Sequence, residues 1–320
     1  MRRDGCLFLL LLALTASARG ETAYVSDEQG NVVDVIAAPH WDQVARIPVG
    51  RRPRGMALSS DGKRLYVALG NDDRIDVIDL AQRRVVDSIP SGPDPERFVI
   101  SPDGKRLYVA NENDAKVSFV DIATKRVVRE VAVGAEPEGM AVSPDGNWVI
   151  CTSESASLVH FIDARTGALV DSMRVGTRPR DARFTADGRQ LWVSSEQRAT
   201  VAVFDATTRK LQRTIDFDAD DKAPGNVQAV GIALSLDGTR AFVALGRGNQ
   251  VAEVDPVTYA IRRYFTVGSR NWGIALSPDG TRLYAANGLS GTVSIIDTKR
   301  NDVLATVTTG GKPWGVVATP

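Results

Sequence analysis

The sequence predicts an all-β protein, a seven-bladed propeller of four-stranded antiparallel blades, on three observations. Asp-Gly pairs recur at Asp61-Gly62, Asp103-Gly104, Asp145-Gly146, Asp187-Gly188, Asp237-Gly238 and Asp279-Gly280, spaced by 42, 42, 42, 50 and 42 residues. Each period holds four short runs of β-branched and aromatic residues parted by turn formers, which is the pattern of one blade. The start of an innermost strand recurs seven times, near Gly55, Arg97, Gly139, Asp181, Gly231, Gly273 and Gly315.

One unit justifies its elements in order. Phe98-Val99-Ile100 is the innermost strand, Ser101-Pro102-Asp103-Gly104 a turn and Leu107-Tyr108-Val109-Ala110 the second strand. Asn111 to Lys116 form a loop, Val117 to Val120 the third strand, Asp121 to Lys125 a turn and Val127 to Val131 the outer strand. The Asp-Gly pairs are hairpin turns that use glycine at positive φ. Six copies spread round a ring cannot converge on one substrate. Asp121, Asp163, Asp205, Asp255 and Asp297 end third strands and are expected to make side-chain turns. A lone blade cannot bury both faces, so blades must stack.

The seventh innermost strand has no room for the rest of its blade before Pro320. The missing strands lie at the other end of the chain. Ala23-Tyr24-Val25, Val33 to Ile36 and Val44 to Ile47 each match runs 42 residues later. Val316-Val317-Ala318 should therefore pair with the N-terminal strands and close the ring, leaving no long free edge.

Arg2 and Arg3, an apolar run from Cys6 to Leu14 and the small residues Ala16-Ser17-Ala18 form a secretory signal over residues 1–18. The run is shorter than the ~20 residues that span a bilayer. A single propeller domain is expected over 19–320, exported to the periplasm without membrane insertion. Charge is balanced at 39 basic and 39 acidic residues, so no general attraction to nucleic acid is expected. Cys151, the one cysteine left after export, falls on a second strand and is expected in the core.

The recurring Val-Gly-x-x-Pro-x-Gly-x-Ala-x-Ser-Pro-Asp-Gly-x-x-Leu-Tyr-Val-Ala-Asn, seen at Val133 to Gly146, at Ser277 to Asn287 and in Leu107 to Asn111, resembles the YVTN family of β-propellers. Seven such units behind a signal peptide look most like the exported propellers associated with PQQ-dependent catabolism. That resemblance implies a role beside a periplasmic quinoprotein dehydrogenase, a cytochrome or a transporter component, and a monomer is expected. Quinoprotein dehydrogenases themselves resemble eight-bladed propellers with an adjacent-cysteine disulfide. This chain has seven units and one mature cysteine.

No haem motif, phosphate-cradling loop or nucleophile elbow is present. Of the two histidines, His160 is expected half-exposed between sheets, and His40 has no partner at ligand spacing. No cofactor, metal site or committed catalytic residue follows. The residue before each innermost strand is more informative, because repeat register carries it round one mouth of the central channel. In ring order it is Arg54, Glu96, Glu138, Arg180, Val230, Trp272 and Trp314. Structural positions tend to repeat, and this one does not. The two indoles and the charges are candidates for binding a ligand or partner, set against a plug of the channel with a solvated charged rim.

The 50-residue spacing adds eight residues between Ile215 and Gly231, with four aspartates among Asp216 to Asp221. It is expected to be a solvated, mobile loop on the mouth face, without the glutamate of an EF-hand. The leading functional expectation is an exported non-enzymatic binding or scaffold propeller. The alternative is a small-molecule hydrolase resembling the seven-bladed lactonases, in which Glu138 and Glu96 supply a carboxylate base and Arg180 the oxyanion stabilisation.

Overall fold

The computed structural model describes residues 20–223 and 225–320, and the export segment expected over 1–18 lies outside them. Seven four-stranded sheets, each wholly antiparallel, follow one another round a central channel. Blade 1 joins the C-terminal strand Pro313–Thr319 to Thr22–Asp27, Val32–Ala37 and Asp42–Pro48. Its closing register pairs Thr22 with Thr319 and Val25 with Val316, as the 42-residue matches require. The innermost strands of blades 2 to 7 are Pro53–Leu58, Pro95–Ile100, Pro137–Val142, Pro179–Phe184, Ile232–Leu234 and Asn271–Leu276. In blade 3 the inner strand starts earlier than its apolar run and the outer strand reaches Ala132, while Glu112–Asp114 in the expected loop make one 3₁₀ turn.

The repeated turns have one construction. The hydroxyl at Ser59, Ser101, Ser143, Thr185, Ser235 and Ser277 donates to the aspartate two residues on, and the following glycine takes φ of 65° to 74°. Third strands end in side-chain turns, with Asp121, Asp163, Asp205 and Asp255 accepting from the amide three residues later. Between blades lie buried apolar layers of alternate side chains, such as Tyr108, Phe119, Met140 and Cys151. Cys151 is fully buried, and burial pushes its thiol well above the ordinary range.

Two expectations are corrected. His160 is buried, not half-exposed: Nε2 accepts from the Gly134 amide at 3.1 Å and Nδ1 faces Ser172 Oγ at 2.7 Å, which uses up the neutral ring's polar atoms. The insertion is solvated only in part. Phe217 is fully buried in the layer between blades 5 and 6, Val227 is buried, and Tyr264 Oη donates to Asp220 Oδ2 at 2.6 Å.

Candidate functional site

Six of the seven innermost strands open with a bulge, the short strand of blade 6 being the exception, and that bulge builds the site. The ladder slips by one residue between Pro53 and Met56, Pro95 and Phe98, Pro137 and Met140, Pro179 and Ala182, and Asn271 and Ile274. A bulge re-aims the residues it contains. Here these are Arg54-Gly55, Glu96-Arg97, Glu138-Gly139, Arg180-Asp181 and Trp272-Gly273. The backbones come so close that a Cβ on Gly231 or Gly273 would sit 2.6 Å from the next blade's carbonyl oxygen. Hydroxyls stitch the ring: Thr152 Oγ1 accepts from the Gly139 amide and donates to Pro179 O, while Ser26 does the same for Gly315 and Arg54 O.

Two further circles surround this one. Two residues earlier stand Arg52, Asp94, Glu136, Arg178, Gln228, Arg270 and Lys312; just after the second strands stand Glu28, Gly70, Glu112, Glu154, Glu196, Gly246 and Gly288. In six of the seven blades the amide of the residue after the second strand donates to the carbonyl of its partner in the other circle, at 2.8–3.0 Å. Arg52, Asp94, Glu136, Arg178 and Arg270 hold φ between 54° and 58°, a strained region for residues other than glycine.

The side chains meet in two clusters. Arg52 holds Glu96 Oε1 at 2.7 Å, pairs closely with Asp94 and reaches Glu28 and Glu112 at 3.6 and 3.7 Å. Arg54 holds Glu28 at 2.9 Å and the second oxygen of Glu96 at 3.2 Å. In the other cluster Arg180 pairs closely with Glu154 and lies 3.6 Å from both Glu138 and Glu196. Arg178 binds Glu154 at 2.6 Å, and Arg270 binds Glu196 at 2.8 Å. Arg97 extends the second cluster, 3.8 Å from Glu138 and 3.7 Å from Asp181, and meets the first through the Trp314 ring that it shares with Arg54.

All six candidate residues are therefore brought to one end of the channel, but four of them are out of water. Glu96, Glu138, Arg180 and Trp314 are 0, 3, 5 and 1 % exposed. The charges pair, yet not as a solvated rim. The indole faces are occupied as well. Trp314 lies under Arg54 and Arg97 at 5.1 and 4.6 Å, and Trp272 under Arg180 and Arg270 at 5.0 and 4.0 Å. Gly288 leaves the room that Trp272 fills.

Burial is the largest influence on the two ring carboxyls. It pushes the Glu96 carboxyl up to about 7 against the pull of Arg54 and Arg52, with Glu112 pushing the same way. Burial also raises Glu138, against Arg180. Oxygens of Asp94, Glu96 and Glu112 lie within 4.8 Å of one another, the one such carboxylate group among the described residues. Arg52 already brings to them the positive charge that a cation would supply. The aspartates of the insertion instead cap their own turns, Asp216 accepting from the Asp218 and Ala219 amides.

Arg52, Glu112, Glu154, Glu196 and Arg270 escaped the sequence reading, although they break the repeat as visibly as Glu96 does. The signal is the register two residues before, and sixteen residues after, the ring position.

Comparisons agree with the fold and divide on kinship. The YNCE-like beta-propeller family matches residues 70–147, and the family described as lactonase, 7-bladed beta-propeller matches residues 170–309. The first match includes Glu96 and Glu138, the second Arg180 and Trp272, and neither reaches Arg54 or Trp314. No curated protein matches. A chain of Kuenenia stuttgartiensis hydrazine synthase superposes with TM-score 0.78 at 21% identity, over 91% of this chain and 99% of that one. A Lactobacillus plantarum protein superposes with TM-score 0.80 at 15% identity, over 93% and 99%. A Bacteroides uniformis protein described as a "putative 6-phosphogluconolactonase" gives 0.75 at 17%, over 93% and 99%. At these identities the likeness is one of fold.

Proposed function

We propose that the protein is a small-molecule hydrolase of the propeller lactonase type, opening a cyclic ester with water at Glu96. The observation that carries the reading is a buried carboxyl raised to about 7 and held between two guanidinium groups. A general base works best with a pKa near the operating pH, and arginine N–H groups are suited to a developing oxyanion. The match to the lactonase family over residues 170–309 supports the class.

In this reading ionised Glu96 takes a proton from water as the water oxygen adds to the ester carbonyl. Arg52 and Arg54 stabilise the oxyanion. Collapse breaks the ring C–O bond, and the proton passes from Glu96 to the leaving alkoxide, so one water is consumed and a hydroxy acid released. A depression of about 380 Å³ lined by Glu28, Arg52 and Lys312 gives entry from this face. Glu96 has no surface of its own, so substrate must draw Arg52 aside to reach it. A panel of five- and six-membered lactones tests the reading: turnover by the purified protein that is lost in Glu96→Gln supports it, and no turnover of any lactone refutes it.

That Arg54, Glu96, Glu138 and Arg180 each already have an ion partner within the ring favours a second reading, an exported binding or scaffold propeller serving a PQQ-dependent oxidation system. Calorimetry against PQQ and a quinoprotein dehydrogenase tests it, and absence of heat with both would end it.

A further inference from the structure

The inner side of the charged ring carries a second departure from the repeat. At the bulge position that is glycine in blades 1, 2, 4, 6 and 7, blade 3 has Arg97 and blade 5 has Asp181. Two residues further along the strand, where the other blades have Ala57, Val99, Ala141, Ala233, Ala275 and Val317, blade 5 has Arg183. Five glycines and six small side chains show what the fold itself asks for here. The three charged residues are not needed to build a blade.

Arg97 and Arg183 line the blind end of a cavity of about 730 Å³, on the side of the charged ring away from Glu96, with the buried Asp181 behind them as their shared partner. The cavity opens among the Asp237 and Asp279 turns, on the opposite face from the entry to Glu96, and Phe184, Leu234 and Ile274 wall it. Its size is that of a small-ligand pocket. Arg97 and Trp314 close its inner end.

The ion pairs there are loose. Arg97 lies 3.7 Å from Asp181 Oδ1 and 3.8 Å from Glu138, which Arg180 shares, while Arg183 lies 3.4 Å from Asp181 Oδ2. Asp181 is already engaged, its Oδ2 accepting from the Ile232 amide at 3.0 Å and its Oδ1 from the Ala182 amide at 3.0 Å. Charge-assisted hydrogen bonds close at about 2.7–2.9 Å. Arg97 Nε, though buried, has no hydrogen-bond partner. Two guanidinium groups thus share one preoccupied carboxylate, Glu138 lying 3.8 Å from Arg97, in a pocket whose inner walls are apolar and whose mouth is polar.

We propose that this blind end binds a small organic carboxylate, its charged group between Arg97 and Arg183 and its apolar body along Phe184, Leu234 and Ile274. Arg183 Nε donates to Ile232 O at 3.3 Å, and an incoming carboxylate supplies closer, charged acceptor oxygens than Arg97 and Arg183 have, while the walls recover the apolar area of its tail. The site is separate from the Glu96 centre and reached from the other face.

Calorimetric titration of the purified protein with hexanoate, hexanol and sulfate tests it. Saturable hexanoate binding is expected, with hexanol and sulfate each weaker by about tenfold or more, since each supplies half of the recognition. Arg183→Ala restores the residue that four other blades carry and should fold; hexanoate binding should weaken about tenfold in it. A second measurement needs no variant at that position. Bromohexanoate should quench tryptophan emission saturably, and Trp314→Phe should remove most of the quench. Absence of saturation, equal binding of hexanol or sulfate, or unchanged affinity in folded Arg183→Ala would overturn the proposal.

Discussion

Glu96 and Glu138 occupy equivalent positions one blade apart, and both are buried, but their neighbours give them different work. Glu96 lies beside Glu112 at the partly open end of the cluster, whereas Glu138 lies between Arg97 and Arg180 inside the channel. If Glu96 is the base, kcat/KM for a lactone should rise with pH through about 7, as its proton leaves. Arg52, Arg54, Asp94, Glu112 and Glu138 are the charged groups facing it. Because Glu112 holds the Glu96 pKa up, Glu112→Gln should move that limb to lower pH; a limb that stays put or moves to higher pH would contradict the assignment. His160 gives a second titration, in stability. Burial depresses its pKa, so the unfolded chain takes the proton first and stability falls as pH drops below the ordinary value of about 6.5. His160→Gln should flatten this slope in urea unfolding at pH 7.5 and 5.5; an unchanged slope would place the loss elsewhere. Ring position was legible in the sequence because register transports it from blade to blade. Partner choice was not, because Arg52 and Glu96 are 44 residues apart in the chain and meet only through the curvature of the ring.

The insertion shows what repeat arithmetic leaves out at the scale of an element. Eight polar-rich residues out of register read as a loose loop, and composition gives no warning that Phe217 turns inward. In the structure it fills the layer between blades 5 and 6 beside Trp192, Ile215 and Val227, and so anchors the segment that leads to Gln228, the partner of Arg270. Phe217→Ala should cost about 3–5 kcal/mol of stability, the range for emptying a buried aromatic site, measured as a shift of the denaturant midpoint without change of slope. A loss below about 1 kcal/mol would mean that the loop packs no core. Hairpins and turns were legible because each is local: six Ser/Thr-x-Asp-Gly turns make the same bonds six times. The bulges were not, since a one-residue slip leaves no mark on the apolar alternation. They nevertheless decide which side chains enter the channel.

At the scale of the molecule, one pairing keeps seven open sheets from presenting two edges. Thr22 to Val25 pair with Val316 to Thr319, so blade 1 is the one sheet built from both ends of the described chain. The same strand carries Trp314, on which Arg54 and Arg97 stack, and Gly315, whose amide and neighbouring Arg54 carbonyl share Ser26. Closure and site assembly are therefore the same event. Removing residues 313–320 should expose the inner edge of Thr22–Asp27, leave Ser26 without its amide partner and open the Arg97 layer to water. The expected result is loss of the cooperative melt together with concentration-dependent association, since unpaired strand edges recruit other chains. Loss of the strand is distinguishable from loss of chain continuity. Thr22 and Thr319 are direct partners, so a short linker from Pro320 to Gly20, with new ends cut in the exposed turn at Ala81–Arg83, restores every strand in a different order. This permutant should melt cooperatively as a monomer close to the parent temperature in calorimetry and sedimentation. If the truncated chain melts like the parent, or the permutant fails like the truncation, closure by the terminal strand is not what holds the ring.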